Sequence, residues 1–373
     1  MAIDLGIHMP KPSCLGLVLS GGGVRAVYQA GFLKALAHYL KTNPIKIITA
    51  SSVGSINGYI LALTLNKISF EECTDLLLNL WLERTFDNTF DSIGSLAFLR
   101  GLIFAAILHR KRTVIIPKKS ILNPGPLLHL LDDLTDKFNS LRVSEEGLCA
   151  FGIMTTLVEE KLKKGVLFVQ ATERIKASVK KTGLYEIVYR SILTPRHCLA
   201  SAALPTVLPP VLLDIEKNSG FFVDGGFVQN VPIDPAVRLG ANEVLVIDVS
   251  GRTFWKNALN LPKDAKPSWE LSNAEADGCL APKRLLKEET LFPFGKILKE
   301  IIGSKKMREL GPIYPMFKIF ERALGEDLAF EAASYVTLNP EFVREVAKLG
   351  FQRGLEMIPH MLNYSDPPSR ATG

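Results

Sequence analysis

Two short apolar runs, each closed by a turn of small residues and each followed by an apolar, helix-forming stretch, fall within the first 65 residues and limit what this chain can fold into. Leu15 to Leu19 reads as a buried strand that stops at Gly21-Gly22-Gly23, and Ala26 to Leu40 reads as a helix ended by Pro44. Ile45 to Thr49 then reads as a second strand, Ser51-Ser52-Val53-Gly54 as a tight turn, and Ile56 to Leu65 as a second helix. Strands joined through helices need crossover connections, so the order β–turn–α–β–turn–α predicts an α/β fold on a parallel sheet.

Further along, Ser69-Phe70-Glu71-Glu72 is a capping-box signature opening a helix to about Leu82. Residues 85–145 read as mainly helical, with a turn at Asn123-Pro124-Gly125-Pro126. Phe151 to Thr155, Val166 to Val169, Phe221 to Val223 and Val244 to Val249 read as strands, the last two as core strands rich in β-branched and aromatic residues. Residues 253–330 gain prolines and charges and read as a loop and helix insertion, a candidate lid or membrane-contact region. Tyr335 to Leu338 reads as a closing strand and Glu341 to Leu362 as a long closing helix, which divides the chain into 14–252, 253–330 and 331–373.

The two turns carry the chemistry. Three glycines between strand and helix let backbone N–H groups point outward, beside the positive end of a helix dipole, where an anion or a developing oxyanion is stabilised. The same stretch, Gly21-x-Gly23-x-x-Ala26, also fits a dinucleotide fingerprint, but the second strand ends Ile47-Ile48-Thr49-Ala50 without the acid that reading needs. Ala50-Ser51-Ser52-Val53-Gly54 resembles the G-x-S-x-G elbow, which lifts a serine out of the sheet; Ser52 has small residues at both flanking positions, and Ser51 does not. Consecutive parallel strands bring both turns to one sheet edge. A serine nucleophile needs a proton acceptor, and Asp224 ends the apolar run Phe221-Phe222-Val223 ahead of Gly225-Gly226.

Taken together, these blocks resemble the patatin-like phospholipases. Gly21-Gly22-Gly23-Val24-Arg25 is similar to the family's oxyanion motif, Ser52-Val53-Gly54 to its elbow, and Ala200-Ser201-Ala202-Ala203-Leu204-Pro205 to its A-S-x-A-x-P segment. Asp224-Gly225-Gly226 with Asn230-Val231-Pro232 is similar to its D-G-[GA] motif, and Gly240-Ala241 also fits. Ala50 and Ala26 depart, standing where the family usually has glycine. The resemblance spans about Leu15 to Ser250. It implies a three-layer α/β/α sandwich with a mostly parallel sheet and a Ser52–Asp224 dyad that hydrolyses fatty acyl esters through an acyl-serine. Oxyanion binding would come from the Gly21–Gly23 turn, and Arg25 would hold that loop rather than touch substrate. No cofactor and no metal, calcium included, is implied. Two rivals are an α/β-hydrolase triad of Ser52, Asp224 and His360, and a non-catalytic lipid-binding protein on a decayed hydrolase fold.

Composition narrows the class of chain without choosing a partner. The chain is 47% hydrophobic with net charge +6, which excludes a disordered chain and favours anionic surfaces. Basic runs interleaved with aromatics are absent, so nucleic acid is not an expected partner. Gly101 to Lys119 and Ile297 to Arg308 mix apolar and basic residues and predict peripheral membrane contact. No protein activator is named by any motif. Five scattered cysteines, Cys14, Cys73, Cys149, Cys198 and Cys279, without a CxxC suit a reducing compartment rather than a disulfide framework or zinc site. No signal peptide is evident, and the run Leu96 to Leu108, broken by Arg100, is too short to span a membrane, so a cytoplasmic, peripherally attached protein is expected.

Overall fold

The computed structural model describes residues 14–39, 44–92, 120, 122–158, 163–179, 182–205, 207–215, 218–251, 284–289, 293–303, 310 and 313–362. The strands are β1 (Leu15–Leu19), β2 (Ile45–Ser51), β3 (Asp91–Ser92), β4 (Leu122–Asn123), β5 (Ala150–Val158), β6 (Lys163–Ala171), β7 (Tyr185–Tyr189), β8 (Val211–Ile215), β9 (Asn218–Val223), β10 (Glu243–Asp248) and β11 (Arg284–Glu289). The α-helices are α1 (Val27–Tyr39), α2 (Gly54–Thr64), α3 (Phe70–Leu82), α4 (Gly125–Lys137), α5 (Glu173–Ser178), α6 (Pro195–Ala202), α7 (Gly226–Gln229), α8 (Ile233–Arg238), α9 (Phe294–Ile302), α10 (Tyr314–Leu324), α11 (Glu326–Ala333) and α12 (Pro340–Leu362). A single 3-10 turn, Gly23–Ala26, leads into α1.

The central sheet runs β11-β10-β1-β2-β5-β6-β7. β11, β10, β1, β2 and β5 are mutually parallel, β6 is antiparallel to β5, and β7 is parallel to β6. The two-residue period of a strand sends alternate side chains to opposite faces. Leu17, Leu19, Ile48, Ala50, Leu245 and Ile247 join one core with Phe32 of α1, Leu61 of α2, Leu77 of α3 and Phe342 of α12. Val18, Ile47, Val244 and Val246 join the other with Ile175 of α5 and Ala236 of α8. Helices therefore cover both faces, and the fold is the expected three-layer α/β/α sandwich on a mostly parallel sheet. The Ser69–Glu72 capping box is present at α3 with both reciprocal bonds.

One edge of β5 positions the site. β6 occupies one side of β5 along its length, from Ala150 to Val158. The other side is shared. β2 pairs there as far as Ser51↔Met154, and β9, arriving from the opposite direction, pairs as Val223↔Thr156 and Leu157↔Phe222. The ends of β2 and β9 thus meet head to head against β5, and the residues that follow them are Ser52 and Asp224.

Several expectations are corrected. Phe221 to Val223 lies in β9, which pairs antiparallel with β8 and β5; Phe222 and Val223 are buried as a core strand requires, but Phe221 is half exposed at 50%. Tyr335 to Leu338 is a turn and extended segment following α11, not a strand. β11 extends the parallel sheet from within 253–330, so that stretch is not wholly an insertion of loops and helices. Residues 85–145 include the β3–β4 pairing as well as α4, which starts at Gly125, inside the expected turn. Of the two segments expected at a membrane, Gly101 to Lys119 lies outside the described residues. In Ile297 to Arg308, the described part belongs to α9, whose Phe294, Leu298 and Ile302 are fully buried, so the apolar side of that helix is core. Among the described residues, no helix is long and apolar enough to cross a membrane.

Candidate active site

The serine turn is strained where an elbow demands it. Ser52 has φ +52°, a left-handed conformation that a non-glycine residue adopts at a cost of about 1–3 kcal/mol. The surrounding contacts hold it there. Its N–H donates to Ser201 Oγ at 2.8 Å, and its carbonyl accepts from Ser55 N at 2.9 Å and Ser55 Oγ at 2.6 Å. Gly54 must be glycine because a Cβ there would lie 2.5 Å from the Ser20 carbonyl. Ala50, where the resemblance expects glycine, is fully buried, and its methyl is accommodated by Gly58 of α2, where an added Cβ would come within 3.3 Å of it.

Ser52 Oγ donates to Asp224 Oδ2 at 2.6 Å. The other carboxylate oxygen, Oδ1, accepts from Gly226 N at 2.7 Å, and the Asp224 backbone is tied to Ala203 O and Thr156 Oγ1. Burial pushes the Asp224 carboxyl up from its ordinary 3.8 to about 6, against the lowering influence of the Ser52 and Gly226 hydrogen bonds. An exposed carboxylate near ~3.9 is a poor base, and the rise makes this carboxylate a stronger one. The direct Ser–Asp bond leaves no place for an imidazole between the two side chains. His360 lies on α12, the helix packed along α1. His197, on α6, is buried, and burial pushes it down to about 4, so it stays neutral at physiological pH.

The glycine turn lies beside Ser52: a Cβ on Gly21 would fall 2.6 Å from Ser52 Cβ. Two N–H groups of this loop are already committed, Gly21 to Asn230 O at 3.2 Å and Val24 to Tyr335 O at 2.8 Å. Those of Gly22 and Gly23 have no protein partner among the described residues. Within the Gly21–Gly23 turn, the uncommitted N–H groups are therefore those of Gly22 and Gly23. Gly23 has φ +61°, and a Cβ on it would collide with the Tyr335 carbonyl. Arg25 is fully buried and paired with Glu331 at 2.6 Å, so it faces protein rather than the site's opening.

Sequence reasoning left out the residues that lock these parts together. Ser201 joins three elements: its Oγ donates to Met154 O at 2.6 Å and accepts from Ser52 N, and its carbonyl accepts from Gly225 N at 3.0 Å. Its signal was present in the A-S-x-A-x-P segment, to which no role was given. Asn57 links the two βα units, donating to Ala26 O and Gln29 Oε1 while accepting from Trp81 Nε1 at 2.8 Å. Gln29 in turn donates to Ser20 O and Ile247 O. Nothing in the spacing of Gln29, Asn57 and Trp81 marks them in advance. Among the described residues, no group of three or more His, Cys, Asp or Glu is arranged to hold a metal ion.

A sequence model described as patatin-like phospholipase matches residues 17–237. The patatin-like phospholipase domain-containing protein ZK370.4 of Caenorhabditis elegans is 25% identical over 64% of this chain and 14% of its own length. Lysophospholipase NTE1 of Cryptococcus neoformans is 25% identical over 63% and 11%. Patatin-like phospholipase domain-containing protein 7 of Mus musculus is 24% identical over 66% and 14%. The chain thus matches only a small part of each of these relatives. Among solved structures, human GIVD cytosolic phospholipase A2 aligns with TM-score 0.43 at 10% identity, covering 94% of this chain and 59% of that one. VipD from Legionella pneumophila aligns with TM-score 0.32 at 13% identity, covering 67% and 53%. The matched stretch takes in the glycine turn, the serine elbow, the Ser201 segment and Asp224, more than half of the sequence in all, and the chain belongs to the patatin-like phospholipase family.

Proposed function

We propose that this protein is a lipid acyl hydrolase of the phospholipase A or lysophospholipase type, working through Ser52 and Asp224. The 2.6 Å bond between Ser52 Oγ and Asp224 Oδ2, at a backbone held in the left-handed region, carries this reading. The names of the matched relatives, phospholipase and lysophospholipase, agree with it.

In the mechanism, Ser52 Oγ attacks the ester carbonyl carbon as its proton passes to Asp224 Oδ2. The N–H groups of Gly22 and Gly23 receive the negative charge that develops on the carbonyl oxygen. Such donors contribute roughly 10²–10³ in rate each. The tetrahedral adduct collapses, the C–O bond to the alcohol breaks, and Asp224 returns the proton to the leaving oxygen. Water then repeats the sequence on the acyl-serine, with Asp224 again accepting a proton, and the fatty acid leaves. A carboxyl near 6 suits this work: it is largely ionised at neutral pH, yet more basic than an exposed aspartate. The cycle calls on no cofactor.

The substrate is a membrane lipid met at a peripheral surface. In domain terms, residues 14–252 are the catalytic part, 331–373 close it, and 253–330 are a lid or membrane-contact region whose residues 284–289 also supply β11 at the sheet edge. The test is labelling with a long-chain alkyl fluorophosphonate alongside fatty acid release from a lysophospholipid. Wild type should label and turn over, and Ser52→Ala should do neither. A wild-type protein that binds lipid but neither labels nor turns over would establish the binding-protein reading instead.

A further inference from the structure

The family match ends at residue 237, yet the glycine loop is held from well beyond it. The last turn of α11, which ends at Ala333, and the residues just after it press on the loop through five groups. Glu331 Oε1 pairs with Arg25 Nη2 at 2.6 Å, and the Glu331 carbonyl accepts from the same nitrogen at 2.7 Å. Ser334 Oγ accepts from Arg25 Nε at 2.8 Å. The Tyr335 ring lies under the guanidinium, 3.6 Å from Cζ to the ring centroid. The Tyr335 carbonyl takes the Val24 N–H and fills the space that a Cβ on Gly23 would need. Arg25, Glu331 and Ser334 are all essentially inaccessible to solvent. Glu331 is anchored in turn, since its Oε2 accepts from Gly295 N at the start of α9, at 2.6 Å.

We infer that Glu331, Ser334 and Tyr335 are positioning residues for the oxyanion-binding loop, acting through Arg25 and the Val24 N–H to aim the Gly22 and Gly23 N–H groups at the reacting carbonyl. The inference rests on the reading of Ser52 as nucleophile. The physical basis is the loop's own freedom. Glycine-rich backbone loses more conformational entropy on ordering than any other, and an oxyanion donor helps only when its direction is set before the reaction. By capturing the Val24 N–H, the Tyr335 carbonyl orients the loop next to the two free donors. Arg25 is too deeply buried to meet a lipid headgroup, so its charge is spent on Glu331 and on the stacked ring.

The test compares Glu331→Gln, Ser334→Ala and Tyr335→Leu with wild type and with Leu131→Ala, a cavity variant in α4, which supplies none of the clamp residues. The readings are kcat per fluorophosphonate-titrated site, KM on a soluble short-chain acyl ester, inhibition by an alkyl trifluoromethyl ketone that forms a tetrahedral adduct with serine, and Tm. The clamp variants should lose about 10- to 100-fold in kcat with KM within about twofold. The ketone should weaken by the same factor as kcat/KM, because both report transition-state binding. Leu131→Ala should lower Tm while keeping wild-type kcat per site. If Glu331→Gln does not fold, Ser334→Ala and Tyr335→Leu, which leave the ion pair in place, decide the matter. Wild-type kcat per titrated site in both of those would overturn the inference, as would an equal loss in Leu131→Ala. Ser52→Ala run in parallel separates the two failures: its inactivity beside fully active clamp variants sinks only the clamp, whereas near-normal turnover by Ser52→Ala sinks the nucleophile assignment and the clamp with it.

Discussion

The serine elbow and the glycine loop sit side by side, yet they are held by different parts of the chain. Ser52 is fixed by Ser201, Ser55 and Asp224, all within the stretch that matches the family. The loop of Gly21 to Arg25 is fixed partly by Asn230 and largely by Glu331, Ser334 and Tyr335, outside that stretch. The side of the site that would supply the nucleophile is self-contained, and the side that would receive the oxyanion charge leans on the C-terminal helices. The contrast teaches that matching motifs locate the reacting groups without accounting for what aims them.

The largest expected effect breaks the elbow itself. Ser52→Ala and Asp224→Asn should each lower kcat by at least about 10³-fold while the protein stays folded. Their stabilities should differ in an informative way. The raised Asp224 carboxyl contributes stability that is fully present below about pH 4, where it is neutral folded or unfolded, and lost as pH rises through about 6. At pH 8 the buried charge then costs about 3 kcal/mol. Asp224→Asn should therefore be as stable as wild type near pH 4 and more stable at pH 8. Denaturant titrations at the two values check this, and a variant less stable at pH 8 would contradict the buried-charge account.

Next comes Ser201→Ala, which strands the Ser52 N–H and removes a donor to Met154 O. An unsatisfied buried group costs about 1–3 kcal/mol, and an elbow released from its strained conformation should lose roughly tenfold or more in kcat. Kinetics on a soluble ester with Tm measured in parallel would show whether the elbow is as self-contained as its contacts indicate.

A smaller and graded effect is the acid limb of the pH profile. log kcat/KM should fall with unit slope below about pH 6 as Asp224 takes up a proton. His197, pushed down to about 4, cannot produce a limb at 6. A profile flat down to pH 5 would remove Asp224 as the base.

The smallest effects should come from Ser51→Ala and His360→Ala. Ser51 Oγ is buried and has no hydrogen-bond partner among the described residues, so removing it leaves nothing unsatisfied. Both variants should keep kcat within about threefold of wild type. A folded His360→Ala as inactive as Ser52→Ala would instead favour the triad.

Much of this was legible from residue order. Leu15–Leu19 and its glycine turn, Ile45 with the serine turn, and the capped helix at Ser69 all appear where local pattern put them. Their signals lie within a few residues: a run of β-branched or apolar side chains, a turn that only small residues can make, a reciprocal cap. β7, β8 and β11 were not legible. Tyr185–Tyr189 mixes polar and apolar residues, Val211–Ile215 is an edge strand with half-open faces, and Arg284–Glu289 has only two leucines among four charged residues and no two-residue alternation. Asp224 was legible as a strand-end acid, but the direction of its strand was not.

The sequence alone determined the two βα units, the identity of Ser52 and Asp224 as a candidate pair, and the small residues that let the turns form, because backbone sterics and turn chemistry act between neighbours in the chain. Only the tertiary structure decided that β9 runs against β5 to meet β2 end to end, that Asp224 is buried enough to rise to about 6, that Gly21 has spent its N–H, and that Arg25 is gripped by Glu331. Strand direction, burial and ion pairing depend on groups brought together from hundreds of residues apart, and no local pattern records which of them will meet.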